Sequence, residues 1–279
     1  MIHRQTFAGA ATIAALLMIG CHRAPSSSMP MPGSGHDGHA GGGDAHAGHG
    51  AMQGFAKLVV RSDGEPKAGS DTTLTLRVED AGGSTIKDFE VVHDHKAHLI
   101  VVTNGLDQFA HIHPTIQADG TMNVTYRFPV GGHYWLYLDH KPIGKPQTTG
   151  SAELHVGGET IAAPELRPNV PGSVEVDWLK ADISVTGGGS GSTRIVFKLT
   201  DSAGQPVTNL EPYMGAMGHL VVISADGKDY VHAHMEGVKA EGGIVTFEAH
   251  FMHTGIYKGW GQFQRGGRVQ VVPFVIRIG

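Results

Sequence analysis

Two stretches of the sequence decide its fold: HLIVVTNGLDQFAHIH at residues 98–113 and HLVVISADGKDYVHAH at residues 219–234. They align without a gap, at an offset of 121 positions from His98 to His219. In each stretch an apolar run is followed by a turn rich in Gly, Asn and Asp and then by a second run that ends in His-x-His, which is the pattern of a β-hairpin. A repeat of this kind predicts two homologous domains in one chain.

The rest of the chain from residue 55 onward follows the same β pattern. Leu74, Leu76 and Val78 alternate with polar residues, as in a strand with one buried face. Turn signals separate several short segments of this kind, which is typical of an antiparallel sandwich. No segment has the 3.6-residue period of a helix. The sequence therefore predicts an all-β protein with two tandem antiparallel β-sandwich domains, immunoglobulin-like or cupredoxin-like.

Changes in composition mark the expected domain boundaries. The first sandwich is predicted at residues 55–157 and the second at residues 173–279, with a proline-containing linker at residues 158–172. Residues 22–54 are rich in Gly, Pro, Ser and His and cannot bury a core, so we expect a disordered tether there. Residues 1–21 are predicted to be a signal peptide, because a basic residue precedes a short apolar run.

The predicted signal peptide ends in Met18-Ile19-Gly20-Cys21, which resembles a bacterial lipobox, although Met stands where Leu is usual. The resemblance implies cleavage before Cys21 and a lipid on its sulfur. An ordinary signal peptide with an isolated cysteine is the alternative. We therefore expect a protein of the cell envelope, anchored to a membrane by its lipid and facing the periplasm. In a Gram-negative cell the outer membrane is favoured, because Cys21 is not followed by the Asp that marks inner-membrane retention.

Histidine is the unusual component of the composition. The chain has 19 His against 21 Lys and Arg together, and its formal net charge is −5. The negative charge and the lack of a basic stripe argue against nucleic acid as a partner. The single cysteine excludes an intrachain disulfide framework and a thiolate metal site. The lack of repeated long apolar runs excludes a multispan membrane protein.

Some of the histidines lie in the predicted tether, at His36, His39, His46 and His49. Histidine-rich tracts of this type capture metal ions. Binding there is expected to be weak and to exchange quickly, because nothing in a disordered chain holds the ligands in place. The alternative is a tether that acts only as a solubilising spacer.

Other histidines lie in the repeated hairpins. Alternate residues of a strand share a face, so His111 and His113 point the same way. The hairpin register then brings His98 near His113. Imidazoles that converge in this way can bind Cu, Zn or Ni. The predicted ligands are His98, His111 and His113 in the first domain and His219, His232 and His234 in the second. Whether the domains share one interfacial site is left open by the sequence.

The second domain adds the thioethers of Met217 and Met235 next to its histidines. Thioether together with imidazole favours copper, and Cu(I) in particular, whereas imidazole alone suits Cu(II) or Zn(II). Copper is thus the expected cofactor, and zinc is the alternative metal. The other interpretation is that the histidines are structural and the methionines fill the core. The first domain has further histidines in place of thioethers: His93, His95, His133 and His140.

Three segments of the second domain carry a family resemblance: Gly218–Ser224, Tyr230–Met235 and Thr254–Phe263. They resemble blocks of a bacterial secreted or lipoprotein family with tandem immunoglobulin-like sandwiches, found in metal-resistance settings. Met235 stands where that family has Pro, and Pro114 keeps the Pro in the first repeat. A looser likeness exists to YtkA/FixH-type and CopC-type periplasmic sandwiches. These resemblances imply the fold and the handling of copper.

The expected function is that of an envelope lipoprotein that binds a transition metal as a buffer, carrier or resistance factor. No motif of a hydrolase, zinc protease or nucleotide-binding enzyme is present, so we expect no enzyme. The expected partners are a membrane, through the lipid, and a metal donor or acceptor protein. The alternative is a non-catalytic interaction module that contacts an envelope partner and in which the strand histidines are structural.

Overall fold

The computed structural model describes residues 56–187, 192–235 and 240–279. All of them belong to one compact unit, Asp44–Gly279. The predictions made for the signal peptide, for the lipid on Cys21 and for the tether histidines lie outside the described residues. Within the described ranges, no helix is long and apolar enough to span a membrane.

The first repeat is a sandwich of two four-stranded antiparallel sheets. Its strands are β1 (Ala56–Ser62), β2 (Asp71–Asp80), β3 (Ala97–Thr103), β4 (Phe109–Ile112), β5 (Thr115–Ile116), β6 (Met122–Arg127), β7 (Gly132–His140) and β8 (Thr148–Val156). The sheet orders are β1-β2-β6-β5 and β4-β3-β7-β8. Leu74, Leu76 and Val78 of β2 are completely buried between the sheets, as their alternation predicts.

The second repeat has the same architecture. Its strands are β9 (Gly172–Val176), β10 (Leu179–Thr186), β11 (Ser192–Asp201), β12 (His219–Ser224), β13 (Tyr230–His234), β14 (Ile244–His250), β15 (Gly255–Arg265) and β16 (Arg268–Ile278). The sheet orders are β14-β11-β10-β9 and β13-β12-β15-β16. The described residues contain no α-helix and only one 3₁₀ turn, Glu241–Gly243. The prediction of an all-β fold with two repeated antiparallel sandwiches is confirmed.

Strands β3 and β12 are buried along their whole length, because each lies between two cores. Leu99 and Val101 of β3 face the core of the first sandwich. Ile100 and Val102 face the other way, into a third apolar cluster that also contains Val221 of β12. This third cluster packs the two sandwiches against each other.

Two aromatic pairs cross the interface between the sandwiches in equivalent positions. Phe109 of the first domain stacks on Trp260 of the second, with ring centroids 4.6 Å apart. Tyr230 of the second domain stacks on Tyr137 of the first, with centroids 4.7 Å apart. Phe109 and Tyr230 correspond in the repeat, and Tyr137 and Trp260 occupy the same place opposite the central strands. The two domains are therefore related by a local pseudo-twofold axis.

Candidate metal centre

The six predicted histidine ligands lie together at the interface, where they form what we call the histidine cluster. His98 lies on the same face of β3 as Ile100 and Val102, so its side chain points towards the other domain. The rings of His111 and His232, one from each domain, have centroids 5.1 Å apart. The two predicted triads are thus neighbours in a shared site, a relation that the sequence left open.

The first triad consists of His98, His111 and His113. Leu99 of β3 pairs with Ile112 of β4, so His98 and His113 come opposite each other at the ends of these strands. Nδ1 of His98 lies 3.1 Å from Nε2 of His111 and 3.2 Å from Nε2 of His113. One ring nitrogen of each residue lies within 4.8 Å of the other two, a geometry that could hold a metal ion.

The hydrogen bond between His98 and the backbone sets the tautomer of this ring and so determines which of its nitrogens carries a lone pair. Nε2 lies 2.9 Å from the carbonyl oxygen of Val92 and therefore donates a hydrogen to it. Nδ1 is left as an acceptor with one lone pair, and the Nε2 atoms of both His111 and His113 face it. A single lone pair cannot serve two donors well, whereas three nitrogen lone pairs around a cation are a normal metal site.

The second triad consists of His219, His232 and His234. His219 pairs with His234 across β12 and β13, and His232 shares the face of His234. The ring centroid of His234 is 4.6 Å from that of His219 and 4.4 Å from that of His232. One buried nitrogen of each ring has no hydrogen-bond partner among the described residues: Nδ1 of His219, Nε2 of His232 and Nε2 of His234. A buried unpaired polar atom costs about 1–3 kcal/mol, so these nitrogens favour a bound ligand. Ring nitrogens of His219 and His232 lie within 4.8 Å of one another and of a ring nitrogen of His111, a group that could hold a metal ion and that does not include His234.

Two equivalent turns set the tautomers of His98 and His219. Nε2 of His219 donates to the carbonyl oxygen of Tyr213 at 2.7 Å, as Nε2 of His98 does to Val92. Metal-binding histidines usually donate their second ring N–H to a carbonyl or a carboxylate in this way. The central residues of both turns have left-handed φ angles: His93 (50°), Asp94 (66°), Met214 (49°) and Gly215 (73°).

Asp139 is a candidate functional residue that the sequence did not single out. It lies opposite His98 in its own sheet, but its carboxylate accepts a hydrogen bond of 2.5 Å from Nδ1 of His232 in the other domain. Tyr230 and Thr149 also donate to it, at 2.6 Å and 2.5 Å. Burial would raise the pKa of Asp139, but these hydrogen bonds bring it below its ordinary value, so the carboxylate is ionised near neutral pH.

Gln262 occupies the place of Asp139 in the second domain. It lies opposite His219 in the sheet, and its side-chain amide is 3.2 Å from Nδ1 of His111 in the first domain. Each domain therefore supplies a hydrogen-bond partner for a histidine of the other, but the two bonds differ in direction. The carboxylate of Asp139 accepts from Nδ1 of His232 and leaves Nε2 of that ring unprotonated, whereas the amide Nε2 of Gln262 donates to Nδ1 of His111, which places the ring proton on Nε2. Turning the Gln262 amide over would present its oxygen to Nδ1, and His111 would then offer Nε2 to a metal.

Burial favours the neutral form of five of the six clustered rings. The pKa of His98 is lowered to about 4 by burial and by the neighbouring His232. The pKa of His113 is lowered to about 3 by burial and by His98. Burial and neighbouring imidazoles also hold three further pKa values well below 6.5, those of His111, His219 and His234. Neutral imidazole is the form that binds metal, so these rings are ready to act as ligands at neutral pH.

Two further histidines flank the cluster. The ring of His93 stacks on His234 of the other domain, and the ring of His95 stacks on His113, both with centroids 3.7 Å apart. Sequence reasoning noted these residues but did not include them among the ligands. The sequence signal that points to them is their position in the turn that begins at Val92, directly before the repeated stretch.

The two predicted methionine ligands have apolar surroundings. Met217 is buried in the core of the second sandwich, and Met235 packs against that core. Their role as ligands stays a prediction. Their packing against apolar side chains is typical of methionines that fill a core. His133, by contrast, is exposed on β7 and contacts the ring of His155, away from the six clustered rings.

Comparison with known proteins identifies one family. A profile described as "Domain of unknown function (DUF8832)" matches residues 53–157 and again residues 174–279. No curated protein matches the chain.

Among solved structures, three illustrate matches of low similarity. The chain is 12% identical to invasin, a bacterial integrin-binding protein, over 78% of its own length and 39% of the other, with a TM-score of 0.23. It is 11% identical to a tetra-tandem repeat of a large adhesion protein, covering 80% and 49%, with a TM-score of 0.27. It is also 11% identical to a two-domain fibronectin type-III segment from chicken tenascin, covering 80% and 99%, with a TM-score of 0.24. The chain thus spans less than half the length of the first two proteins, and likenesses this loose do not transfer a function.

Proposed function

The chain belongs to the DUF8832 family and carries the family's domain twice, and from this premise we propose that the paired domains bind a transition metal at the histidine cluster. The supporting observation is the set of buried ring nitrogens without a partner in the second triad, Nδ1 of His219 and Nε2 of His232 and His234. Hydrogen bonds to Tyr213 and Asp139 fix the tautomers of two of these rings, so that their unprotonated nitrogens face the site.

The donor set favours copper. Six imidazoles without thiolate suit Cu(II) and Zn(II), and Cu(II) binds nitrogen ligands more tightly than Zn(II) does. The apolar surroundings of Met217 and Met235 weaken the argument for a Cu(I) site that rests on thioethers. We therefore propose Cu(II) as the first candidate and Zn(II) as the second.

The proposed role is that of a buffer, carrier or resistance factor in the cell envelope. Three features of the sequence support it: the lipobox-like segment ending at Cys21, the histidine-rich tract at residues 36–49, and the likeness to sandwiches of metal-resistance settings. In this role the tract would collect ions at low affinity and pass them to the folded site. A donor or acceptor protein would exchange the ion with the chain.

A competition titration tests metal binding. The full-length chain carrying the tether substitutions His36→Ala, His39→Ala, His46→Ala and His49→Ala is titrated with Cu(II) and Zn(II) against a chelator, so that weak sites do not contribute. We expect tight binding that falls by at least about tenfold in His232→Ala, because this ring is held for ligation by Asp139. His133→Ala is the matched control, since this exposed histidine lies outside the cluster.

The alternative is a non-catalytic interaction module in which the histidines are structural. This alternative predicts that the titration finds no binding that competes with the chelator, or equal losses in His232→Ala and His133→Ala. Either result would exclude the histidine cluster as a metal site.

A further inference from the structure

We propose that the histidine cluster is a binuclear centre, in which each triad binds one divalent transition metal ion. This inference rests on the metal binding proposed above and adds the number and arrangement of the ions. The count of donors is the first argument. Zn(II) and Cu(II) in proteins usually have about four ligands, so six converging imidazoles exceed what one ion takes but provide three ligands to each of two ions, with positions left for solvent.

The atoms of the two triads correspond one to one. The nitrogens that converge in the first triad are Nδ1 of His98 and Nε2 of His111 and His113. The buried unpaired nitrogens of the second triad are Nδ1 of the first histidine and Nε2 of the other two, in the same order along the chain. The repeat thus reproduces the donor atoms as well as the residue types.

The outer partners lie at equivalent positions in the two domains. In both domains the Nδ1 ligand is held by a carbonyl of an equivalent turn, from Val92 or Tyr213. In both, the middle histidine contacts a side chain of the other domain, Asp139 or Gln262. All three ligands of each triad come from one domain, but one ring in each triad contacts a side chain of the other domain.

The two proposed ions would be close neighbours. A ring nitrogen of His111, which belongs to the first triad, lies within 4.8 Å of ring nitrogens of His219 and His232 in the second. Ligands that lie this close together would place the two ions near each other, where their charges repel. The ionised carboxylate of Asp139, buried beside His232, offsets part of that repulsion.

Metal counting combined with electron paramagnetic resonance (EPR) tests the proposal. The full-length chain with the four tether substitutions is loaded with Cu(II) in the presence of a competing chelator. We expect two copper ions per chain and an integrated EPR signal per copper below that of an isolated Cu(II), since neighbouring spins interact. His113→Ala and His234→Ala each disrupt one triad, and each is expected to retain one copper with the full signal of an isolated ion.

The outcomes separate this inference from the function on which it rests. One copper per chain, lost in both variants, would overturn the binuclear arrangement and leave metal binding intact. Two coppers with full isolated signals would overturn the close pairing. No copper held against the chelator would overturn metal binding itself. Should an alanine variant fail to fold by circular dichroism, His113→Asn and His234→Asn replace it, and the copper count and signal of the parent chain decide the case independently.

Discussion

Asp139 joins the two domains through a single side chain. Its buried carboxylate accepts hydrogen bonds from His232 and Tyr230 of the second domain and from Thr149 of its own. The equivalent Gln262 carries no charge, so the two halves of the histidine cluster differ electrostatically although their donor atoms match. One residue thus orients a proposed ligand and fastens the interface.

Asp139→Asn is expected to weaken Cu(II) binding about 10- to 100-fold, because His232 loses its anionic partner. The free energy of unfolding should fall by about 1–3 kcal/mol, because buried donors lose their acceptor. Competition titration and denaturant unfolding measure the two effects. Asp71→Asn is the control, since this exposed carboxylate only pairs with Arg127 at the surface. Unchanged copper affinity in Asp139→Asn would show that the contact does not support a ligand.

The depressed histidine pKa values predict acid sensitivity of the metal-free protein. In the folded state the pKa is about 4 for His98 and about 3 for His113, against about 6.5 in an unfolded chain. Between these values the unfolded chain binds more protons, so stability is complete above pH 6.5 and falls as the pH drops towards 4.

Denaturant midpoints of the metal-free chain at pH 7.5, 6 and 4.5 test this expectation. His113→Asn should show a shallower decline with falling pH than the parent, because one of the shifted groups is gone. A parent midpoint that stays constant over this range would contradict the buried neutral state of these histidines. His133→Asn serves as the exposed control and should decline like the parent.

At the scale of single elements, the sequences of β3 and β12 are continuous apolar runs because both faces of each strand are buried. Each strand has one face on its own core and the other on the interdomain cluster. His98, the second residue of β3, and His219, the first residue of β12, lie on the interdomain faces, so each strand directs its histidine towards the other domain. The same two strands therefore build the interface and place the proposed ligands.

Ile100→Ala tests the double burial of β3. Ile100 is completely buried in the interdomain cluster, although it belongs to neither sandwich core. We expect the free energy of unfolding to fall by about 2–5 kcal/mol, as for other large core truncations. Ile143→Ala is the matched control, because Ile143 is 64% exposed. Equal small effects of both substitutions would mean that the interdomain cluster contributes little.

The strands and the hairpin register could be predicted from alternation, turn residues and the repeat. These local rules also predicted that His98 would approach His113 and that His219 would approach His234. They could not predict that Asp139 reaches His232, because that contact depends on how one sandwich rotates against the other. The direction of Met217 into the core was equally hidden, since a thioether beside histidine has the same sequence pattern in a core and in a copper site.

For the whole molecule, the shared interface predicts coupled unfolding. The third apolar cluster and the crossed hydrogen bonds join the two sandwiches, so calorimetry of the metal-free chain should show one cooperative transition. Bound metal stabilises only the folded form, and at a free concentration of 100 Kd it adds about 2.7 kcal/mol.

The melting temperature should therefore rise on addition of Cu(II) in the parent chain and rise much less in His232→Ala. His133→Ala should respond like the parent. Two separate transitions in the metal-free chain would contradict the coupling of the domains. An equal rise of the melting temperature in the parent chain and in His232→Ala would contradict metal binding at the histidine cluster between the domains.

The pseudo-twofold arrangement has a consequence for how such a centre can arise. Crossed contacts about a twofold axis are those of an isologous homodimer, in which each subunit completes the site of the other. The 121-residue offset is what duplication and fusion of one such subunit would leave in a single chain. Fusion makes dimerisation intramolecular, so the centre no longer depends on protein concentration. It also frees the two halves to diverge. Asp139 in the first domain and Gln262 at the equivalent position of the second are such a divergence.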